Sequence, residues 1–240
     1  MSIGKRIFDV VFSSLLLVLL SPLLVLISAA VKLSSPGPVF FRRLRHGRGR
    51  VPFMILKFRT LDVEDDRLLC SALGVCLRRT CLDELPQLWN VLKGEMSLVG
   101  PRPLDAEESE ALGRRFVLHH LRYDVMPGLT GLAQVRGMRG ALADDYLATR
   151  LQIDLEYVAS QSFWLDLHVL ASTPLSLFRT AAGEVLPLPS PVSDVGYDPF
   201  QQEKRVAEVA RPQSSRLVEQ AIGPLESAIA PCLRGALLQS

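Results

Sequence analysis

The chain has 240 residues, of which 48% are hydrophobic and 22% are charged, and its formal net charge is +2. This length allows one core of ordinary domain size together with an appendage. The four cysteines show no C-x-x-C spacing, and the four histidines show no H-E-x-x-H spacing. Catalysis by a transition metal is therefore not expected, and the cysteines are expected to be reduced thiols.

The N-terminal part of the chain contains a long apolar segment. Residues 10–31 carry no charge over 22 positions, of which 17 are apolar. At about 1.5 Å per residue, a helix of this length reaches across a hydrocarbon core of roughly 30 Å. The segment is interrupted at Ser21-Pro22, where proline removes a helix hydrogen bond. We therefore expect a membrane segment that is broken near its middle.

Positive charge flanks this segment on both sides. Lys5 and Arg6 precede it, while Lys32 and five arginines within residues 42–50 follow it. Because the positive-inside rule places basic residues on one side of a membrane, a helix-break-helix that re-enters the same leaflet satisfies both flanks. The alternative is a proline-kinked helix that spans the bilayer.

The segment that contains these arginines predicts a hairpin, and helices are predicted after it. Residues 39–44 and 52–60 have extended character and flank a turn-prone sequence at 46–49. Apolar spacing over residues 62–80 predicts a helix, and the next helix is expected to start near Thr80, with Asp83 in its first turn.

The second half of the chain predicts further helices. Residues 104–121 and 141–182 have helical patterns, and Trp164 and Leu165 are expected near a core contact. Glycines in the loop at 126–131 let backbone amides approach a ligand, or they mark a plain turn. The expected fold is mainly α with a small β-hairpin, in which a re-entrant N-terminal membrane helix-break-helix precedes a cytosolic catalytic domain. After Gly183, prolines punctuate a linker and a C-terminal extension of unreadable role.

The segment from Thr80 to Pro103 contains the strongest chemical signal. Asp83 and Glu84 are adjacent acids, and Arg102 lies between two prolines. A carboxylate at a helix start is expected to stay ionised, where it acts as a nucleophile or as a ligand for a hard cation. An arginine with a restricted backbone loses little entropy when it binds phosphate. The combination indicates phosphoryl-type transfer, although an Asp-Glu pair alone is more often a solvated helix start.

Several segments occur together in an order that resembles the bacterial sugar transferase family, the monotopic polyprenyl-phosphate phosphoglycosyltransferases. The resemblance covers residues 1 to about 183 and divides the chain into a membrane hairpin (1–33), a catalytic domain (34–183) and an extension (184–240). The matching segments are Lys5-Arg6-Ile7-Phe8-Asp9, Ser21-Pro22, Ser35-Pro36-Gly37-Pro38-Val39, Lys57-Phe58-Arg59-Thr60, Leu77-Arg78-Arg79-Thr80, Leu82-Asp83-Glu84-Leu85-Pro86-Gln87-Leu88, Ser97-Leu98-Val99-Gly100-Pro101-Arg102-Pro103-Leu104, Tyr123-Asp124-Val125, Pro127-Gly128-Leu129-Thr130-Gly131-Leu132-Ala133-Gln134 and Trp164-Leu165-Asp166-Leu167.

The resemblance implies transfer of a sugar-1-phosphate from a UDP-sugar to polyprenyl (undecaprenyl) phosphate, with release of UMP and with Mg²⁺ as cofactor. This would be the initiating membrane step of exopolysaccharide or other glycoconjugate synthesis, at the cytoplasmic face of the bacterial plasma membrane. It implies membrane lipids as partners and no nucleic acid, and it leaves a homodimer open. The implied nucleophile and metal ligand is Asp83, its paired acid is Glu84, and the implied substrate-binding residues are Lys57, Arg59, Arg78 and Arg102.

Two other functions remain as alternatives. The first is a catalytically silent membrane scaffold of the same fold, for which loss of Asp83, Glu84 or Arg102 would be the signal; all three are present. The second is a membrane-surface module that uses only the arginines of residues 42–50. The sequence departs from the family pattern at Cys81, where serine is common, and at residues 71–76, where two basic positions are absent. The identity of the sugar is not readable.

Overall fold

The computed structural model describes residues 2–64, 67–138 and 144–182. The chain divides into two units, Met1–Pro189 and Ser190–Ser240, and every described residue belongs to the first. The predicted linker and extension at 184–240 lie outside the described residues. The predicted class, mainly α with a small β-hairpin, is confirmed for the described part.

The apolar N-terminal segment forms two helices. Helix α1 (Ile3–Leu19) and helix α2 (Ser21–Ser34) meet at Leu20 and are bent by 62°. Pro22 lies in the first turn of α2, where its missing N–H costs little. None of the described helices has, by itself, the length and hydropathy of a membrane span. Helices α1 and α2 meet those limits only as a pair. The predicted break is confirmed.

The hairpin after α2 is also confirmed. Strand β1 (Phe40–His46) pairs in antiparallel register with β2 (Pro52–Phe58), so that Arg43 faces Ile55 and Phe41 faces Lys57. Phe53 and Ile55, two residues apart on β2, are buried in one cluster, and Phe58, on the opposite face, is buried in another. Period-2 alternation therefore places one face of β2 in the core.

The helix predicted over 62–80 is wrong in its first half. Strands β3 (Leu61–Glu64) and β4 (Arg67–Cys70) form a second antiparallel hairpin, and helix α3 occupies only Ala72–Thr80. The Ser71 side chain accepts a hydrogen bond from the Gly74 N–H and caps α3 at its start. The apolar spacing over residues 62–80 does not reveal this boundary, because a short strand and a short helical segment have similar composition.

The next elements form the centre of the domain. Helix α4 (Gln87–Lys93) ends at Gly94, whose φ of 83° requires a residue without a side chain. Strand β5 (Ser97–Val99) then pairs in parallel with β6 (Gly128–Thr130). A Cβ at Gly128 would lie 2.1 Å from the Gly100 nitrogen. The glycines expected to admit a ligand in the loop at 126–131 thus serve close packing of two backbone segments.

Five further elements complete the described chain. Helix α5 (Ala106–Arg115) and a 3₁₀ segment (Val117–Asp124) occupy the region predicted as one helix. The short α6 (Leu132–Val135) precedes α7 (Asp144–Ser160) and α8 (Phe163–Ala182).

The main core lies between α4, β5, α6, α7 and α8. Leu88, Val91, Met96 and Tyr157 are almost completely buried in it. The core contact predicted for Trp164 and Leu165 is confirmed for Leu165, which packs against the core, and is wrong for Trp164, which is 75% exposed.

Charged residues at the start of α1 bind to the middle of the domain. The Arg6 guanidinium donates to the carbonyl oxygens of Val91 and Leu92, both at 2.6 Å, at the C-terminal end of α4. Those carbonyls belong to the last turn of a helix, where they lack partners and carry partial negative charge. Arg6 therefore satisfies α4 and anchors α1 at the same time.

Lys5 and Asp9 extend this anchor to strand β5. The Asp9 carboxylate is buried and accepts a hydrogen bond from the Leu98 N–H at 3.0 Å. The Lys5 ammonium donates to the Val99 carbonyl at 3.1 Å and pairs with Asp166 of α8 at 2.5 Å. The polar start of α1 is thus part of the folded domain, while its apolar remainder leads toward the break.

Replacement of Arg6 tests this anchor. Arg6→Ala should lower the unfolding free energy by about 2 kcal/mol or more, because two buried carbonyls lose charge-assisted hydrogen bonds. The matched control is Arg114→Ala, whose ion pair with Glu110 is largely exposed; we expect a change below about 0.5 kcal/mol there. Thermal unfolding in detergent measures both. Equal shifts in the two variants would contradict an anchoring role for Arg6.

Candidate active site

The two adjacent acids lie in a tight turn between helices. Cys81 ends α3 in the left-handed conformation, at φ 56°, and a single 3₁₀ turn (Leu82–Glu84) follows before α4 begins. The expected capping of α4 by Thr80 is wrong, since the Thr80 hydroxyl donates back to the Cys76 carbonyl at 2.8 Å within α3. The reversal at Cys81 directs the next three residues into the domain.

Glu84 is held by two cations. The Lys57 ammonium donates to its carboxylate at 2.6 Å, and the Arg102 guanidinium donates at 3.1 Å. Burial alone would raise the pKa of Glu84, but the charges of Arg102 and Lys57 outweigh burial and lower the pKa to about 2. Glu84 is therefore ionised throughout the neutral range and is a weak proton acceptor.

Asp83 is in a different state. Its side chain is buried, with 8% of the residue exposed, and within the described residues it makes no hydrogen bond or ion pair. Burial raises the pKa of Asp83 to about 6, with a further contribution from the Glu84 charge, while Lys57, Arg78 and Arg102 oppose the rise. The helix dipole was expected to favour the anion, and this expectation is wrong because removal from water dominates. Asp83 is therefore a desolvated carboxylate, and an approaching cation or phosphorus centre would stabilise its negative charge.

Asn90 fixes Lys57 relative to the turn that carries Asp83 and Glu84. This role was not predicted from the sequence. Its side-chain oxygen accepts from the Leu56 N–H at 3.0 Å, and its amide donates to the Met54 carbonyl at 2.8 Å. These bonds join α4 to β2, the strand that carries Lys57. The available sequence signal was a polar residue between Leu88 and Val91 on the buried face of a helix.

Arg102 is positioned through its backbone. The Arg122 guanidinium donates to the Arg102 carbonyl at 2.9 Å and to Asp154 of α7 at 2.7 Å. Arg122 and Asp154 are both almost fully buried. The buried, paired Arg122 therefore holds the backbone of the proline-flanked segment in place. No local sequence pattern indicated this role.

The other two predicted arginines have different surroundings. Arg78 lies in the last turn of α3, donates to the Thr60 hydroxyl at 2.8 Å and contributes positive charge to Asp83. The Arg59 guanidinium donates to the Ser35 and Pro36 carbonyls, both at 2.8 Å, where α2 ends. The structure thus brings Lys57, Arg78 and Arg102 around the acids, and it places the Arg59 guanidinium at the end of the apolar helix pair.

The donor set bears on the predicted magnesium ion. In the part of the chain that is described, no group of three or more His, Cys, Asp or Glu residues is arranged to hold a metal. Mg²⁺ is commonly bound by one or two carboxylates together with substrate phosphates and water. A single buried Asp83 with no protein partner is compatible with that mode of binding.

These features define a class of protein. Carboxylates held among lysine and arginine side chains are typical of sites that handle phosphates, and here they are built on a mainly helical domain with a bent apolar helix pair. The chain belongs to the bacterial sugar transferase family, whose model matches residues 1–180.

Curated relatives include two named UDP-glucose:undecaprenyl-phosphate glucose-1-phosphate transferase. The one from Caulobacter vibrioides is 44% identical over 189 residues, which cover 73% of this chain and 70% of the relative. The one from Escherichia coli K12 is 43% identical over 189 residues, but the match spans only 41% of its length. An exopolysaccharide production protein of Rhizobium leguminosarum is 37% identical over 196 residues, 97% of its length.

The state of Asp83 predicts an unusual effect on stability. A raised pKa in the folded protein means that folding favours the protonated acid, so the stability contribution is complete below the ordinary pKa and is lost as the pH rises through about 6. In magnesium-free buffer at pH 7.5, Asp83→Asn should therefore stabilise the fold by up to about 3 kcal/mol, at 1.36 kcal/mol per pKa unit. Near pH 4 the gain should vanish.

The matched control makes the same chemical change in a paired acid. Asp154→Asn breaks the buried pair with Arg122 and should destabilise the fold by several kcal/mol, roughly 3 to 5. Thermal unfolding of both variants at the two pH values is the measurement. Destabilisation by Asp83→Asn at pH 7.5 would contradict the assignment of Asp83 as a desolvated carboxylate without a partner.

Proposed function

We propose that this protein transfers a sugar-1-phosphate from a UDP-sugar to polyprenyl phosphate and releases UMP. The observation that carries the proposal is the unequal treatment of two adjacent acids. Glu84 is bound by Lys57 and Arg102, while Asp83 is buried without a partner among the described residues. One acid organises cations for phosphate, and the other is free to react. The relatives named as glucose-1-phosphate transferases support glucose as the first sugar to test.

The first step is attack by an Asp83 carboxylate oxygen on the phosphorus that bears the sugar. A bond forms between that oxygen and phosphorus, and the bond from phosphorus to the bridging oxygen of UMP breaks. UMP leaves with the electron pair on its phosphate oxygen, so no proton has to be removed. Desolvation favours this step, because a carboxylate that is poorly solvated in the free site loses little when it is esterified.

In the second step the acceptor phosphate regenerates the enzyme. An oxygen of polyprenyl phosphate attacks the aspartyl-bound phosphorus, and the Asp83 carboxylate leaves with its electron pair. The product is a polyprenyl diphosphate sugar. Lys57, Arg78 and Arg102 stabilise the negative charge on the phosphoryl oxygens during both steps.

Glu84 has an organising role in this scheme. Its low pKa makes it a poor general base, and its carboxylate aligns Lys57 and Arg102 on one side of the reacting centre. An incoming pyrophosphate would share these cations. Arg102 is suited to this because a guanidinium offers several donors and can bind a carboxylate and a phosphate oxygen together.

A magnesium ion is part of the proposal. Asp83 would hold it through a carboxylate oxygen, together with the phosphates of the substrate, and the ion would supply Lewis-acid charge stabilisation there. A site that is completed by substrate phosphates needs few protein ligands, and among the described residues no group of three or more acidic, histidine or cysteine side chains is arranged to hold a metal.

We also propose that α1 and α2 form a re-entrant membrane segment whose domain lies at the cytoplasmic face. Both ends of the pair are bonded to the same domain. Arg6, at the start of α1, binds α4, and Ser35, which follows α2, accepts from Arg59 after β2. A spanning segment would separate these ends by a hydrocarbon core of roughly 30 Å. Such a location brings the site to the surface where a lipid phosphate is found.

Release of UMP in the absence of acceptor tests the covalent step. UDP-glucose alone should give about one UMP per enzyme and a mass increase of one hexose phosphate, and added polyprenyl phosphate should restore turnover. Asp83→Asn should lose the adduct and reduce turnover by several orders of magnitude. The control is Asp62→Asn, which makes the same change in an acid of strand β3, outside the turn. An adduct that persists in Asp83→Asn would exclude Asp83 as the nucleophile.

Accessibility in intact cells tests the topology. A tag placed before Lys5 and a tag in the turn at residues 48–49 should both be labelled only after the membrane is opened to the cytosol. A continuous spanning helix would place Pro22 in its interior at a cost of about 3 kcal/mol. Pro22→Leu removes that cost, so a fraction of this variant should expose its N-terminal tag outside. Labelling of the N-terminal tag from outside in the unmodified protein would contradict a re-entrant segment.

A further inference from the structure

Helix α8 turns an apolar face away from the domain. At about 100° per residue, most of its exposed residues fall within about one third of the helix circumference. The exposed residues within that third are all apolar, and the larger ones form what we call the α8 stripe: Phe163, Trp164, Leu167, Pro174, Leu175 and Phe178. The exposed polar residues of the described helix, His168 and Arg179, lie at one edge of the stripe. From Phe163 to Phe178 the stripe is about 22 Å long, at about 1.5 Å per residue.

Polar side chains of α8 lie on the opposite face, against the domain. Asp166 is buried and pairs with Lys5 of α1. The Ser176 hydroxyl, also buried, donates to the Gln134 carbonyl of α6 at 3.2 Å. A helix on the surface of a water-soluble domain has the reverse pattern, with its apolar face toward the core and its polar face toward water. These bonds hold the first turn and a later turn of α8, so the helix lies along the surface of the domain.

The α8 stripe begins beside the apolar surface of α1. The Phe163 ring packs edge-on against the Phe8 ring, with centroids 5.6 Å apart, and the Phe8 ring lies 4.4 Å from that of Phe12. Phe12 and Phe163 are both exposed. In addition, α8 packs against α3, which in turn packs against α2. Exposed aromatic surface therefore continues from the apolar helix pair onto α8.

The chemistry of the stripe favours lipid as its occupant. A large exposed apolar patch marks a site that contacts another protein or a membrane. The α8 stripe contains no charged residue and is continuous with the helix pair for which a membrane location is proposed above. Tryptophan is enriched where a bilayer meets water, and an amphipathic helix rich in Trp, Phe and Leu lies in that plane with its apolar face about 5–10 Å deep.

We propose that the α8 stripe is a second lipid-contacting surface, which lies flat in the boundary between headgroups and acyl chains. The inference rests on the membrane location proposed for α1 and α2. Two contacts fix the rotation of the domain about the helix pair, which one contact would leave free. Because α8 packs against α3, and α3 leads directly into the turn that carries Asp83, the second contact also fixes how the acids face the membrane.

The fluorescence of Trp164 tests the proposal. The chain has two tryptophans, so Trp89→Phe leaves Trp164 as the only one. This variant of the full chain is placed in vesicles of phosphatidylcholine and phosphatidylglycerol whose acyl chains carry bromine near the headgroup, which quenches tryptophan only at close range. Trp164 should lose most of its emission relative to vesicles without bromine. Iodide in the surrounding water should quench it little.

A second variant moves the tryptophan to a surface away from α2. In the Trp89→Phe background, Trp164→Phe with Val117→Trp places the reporter at an exposed residue of the 3₁₀ segment that packs against the turn between β1 and β2. That turn lies at the end of the hairpin remote from α2. Iodide should quench this reporter, and brominated lipid should not.

Substitution within the stripe provides a matched pair. Leu167 is exposed, so its replacement should cost the fold little. Leu167→Glu introduces a charge that opposes burial in lipid, and it should reduce the quenching of Trp164 by brominated lipid and increase the quenching by iodide. Leu167→Phe keeps the stripe apolar and should change neither.

The outcomes separate this inference from the proposed function. Quenching of Trp164 by iodide alone would show that water covers the stripe, and protection from both quenchers would show that protein covers it, such as residues 184–240 or a second copy. Either result would overturn the lipid contact even if the chain transfers glucose phosphate. Quenching by brominated lipid that Leu167→Glu abolishes, without any transfer from UDP-glucose, would support the contact and would refute the proposed function.

Discussion

The structure depends on the attachment of the charged start of α1 to the interior of the domain. Lys5, Arg6 and Asp9 meet carbonyl and amide groups of α4 and β5 that would otherwise be buried without partners. Charged groups are costly to bury unless they are paired in this way, so the contact has one favourable arrangement. It sets where the apolar helices leave the domain, and thereby their position relative to the acids that follow α3.

The chemistry of the site follows from how few cations serve two acids. Lys57 and Arg102 both form ion pairs with Glu84. They act on the buried Asp83 only through their charge, without a direct contact. Adjacent carboxylates in one protein thus have pKa values of about 2 and about 6. Separation of pKa values by environment is the usual way in which two like residues acquire different roles.

Two buried polar side chains keep this arrangement rigid. Asn90 joins α4 to β2 and so fixes Lys57 relative to the acid turn, while Arg122 supports the backbone at Arg102. Each is satisfied by more than one partner, and such networks specify a single geometry.

The sequence alone determined the features that depend on local pattern. The break at Ser21-Pro22, the hairpin of β1 and β2, and the family were all readable, because proline, alternation and ordered motifs act over short stretches. Tertiary structure decided the rest. The strands at 61–70 compete with a helix of similar composition, and the exposure of Trp164 depends on what packs beside it. Asp83 was expected to be stabilised as an anion, and its raised pKa arises from burial by distant segments, which no local pattern records.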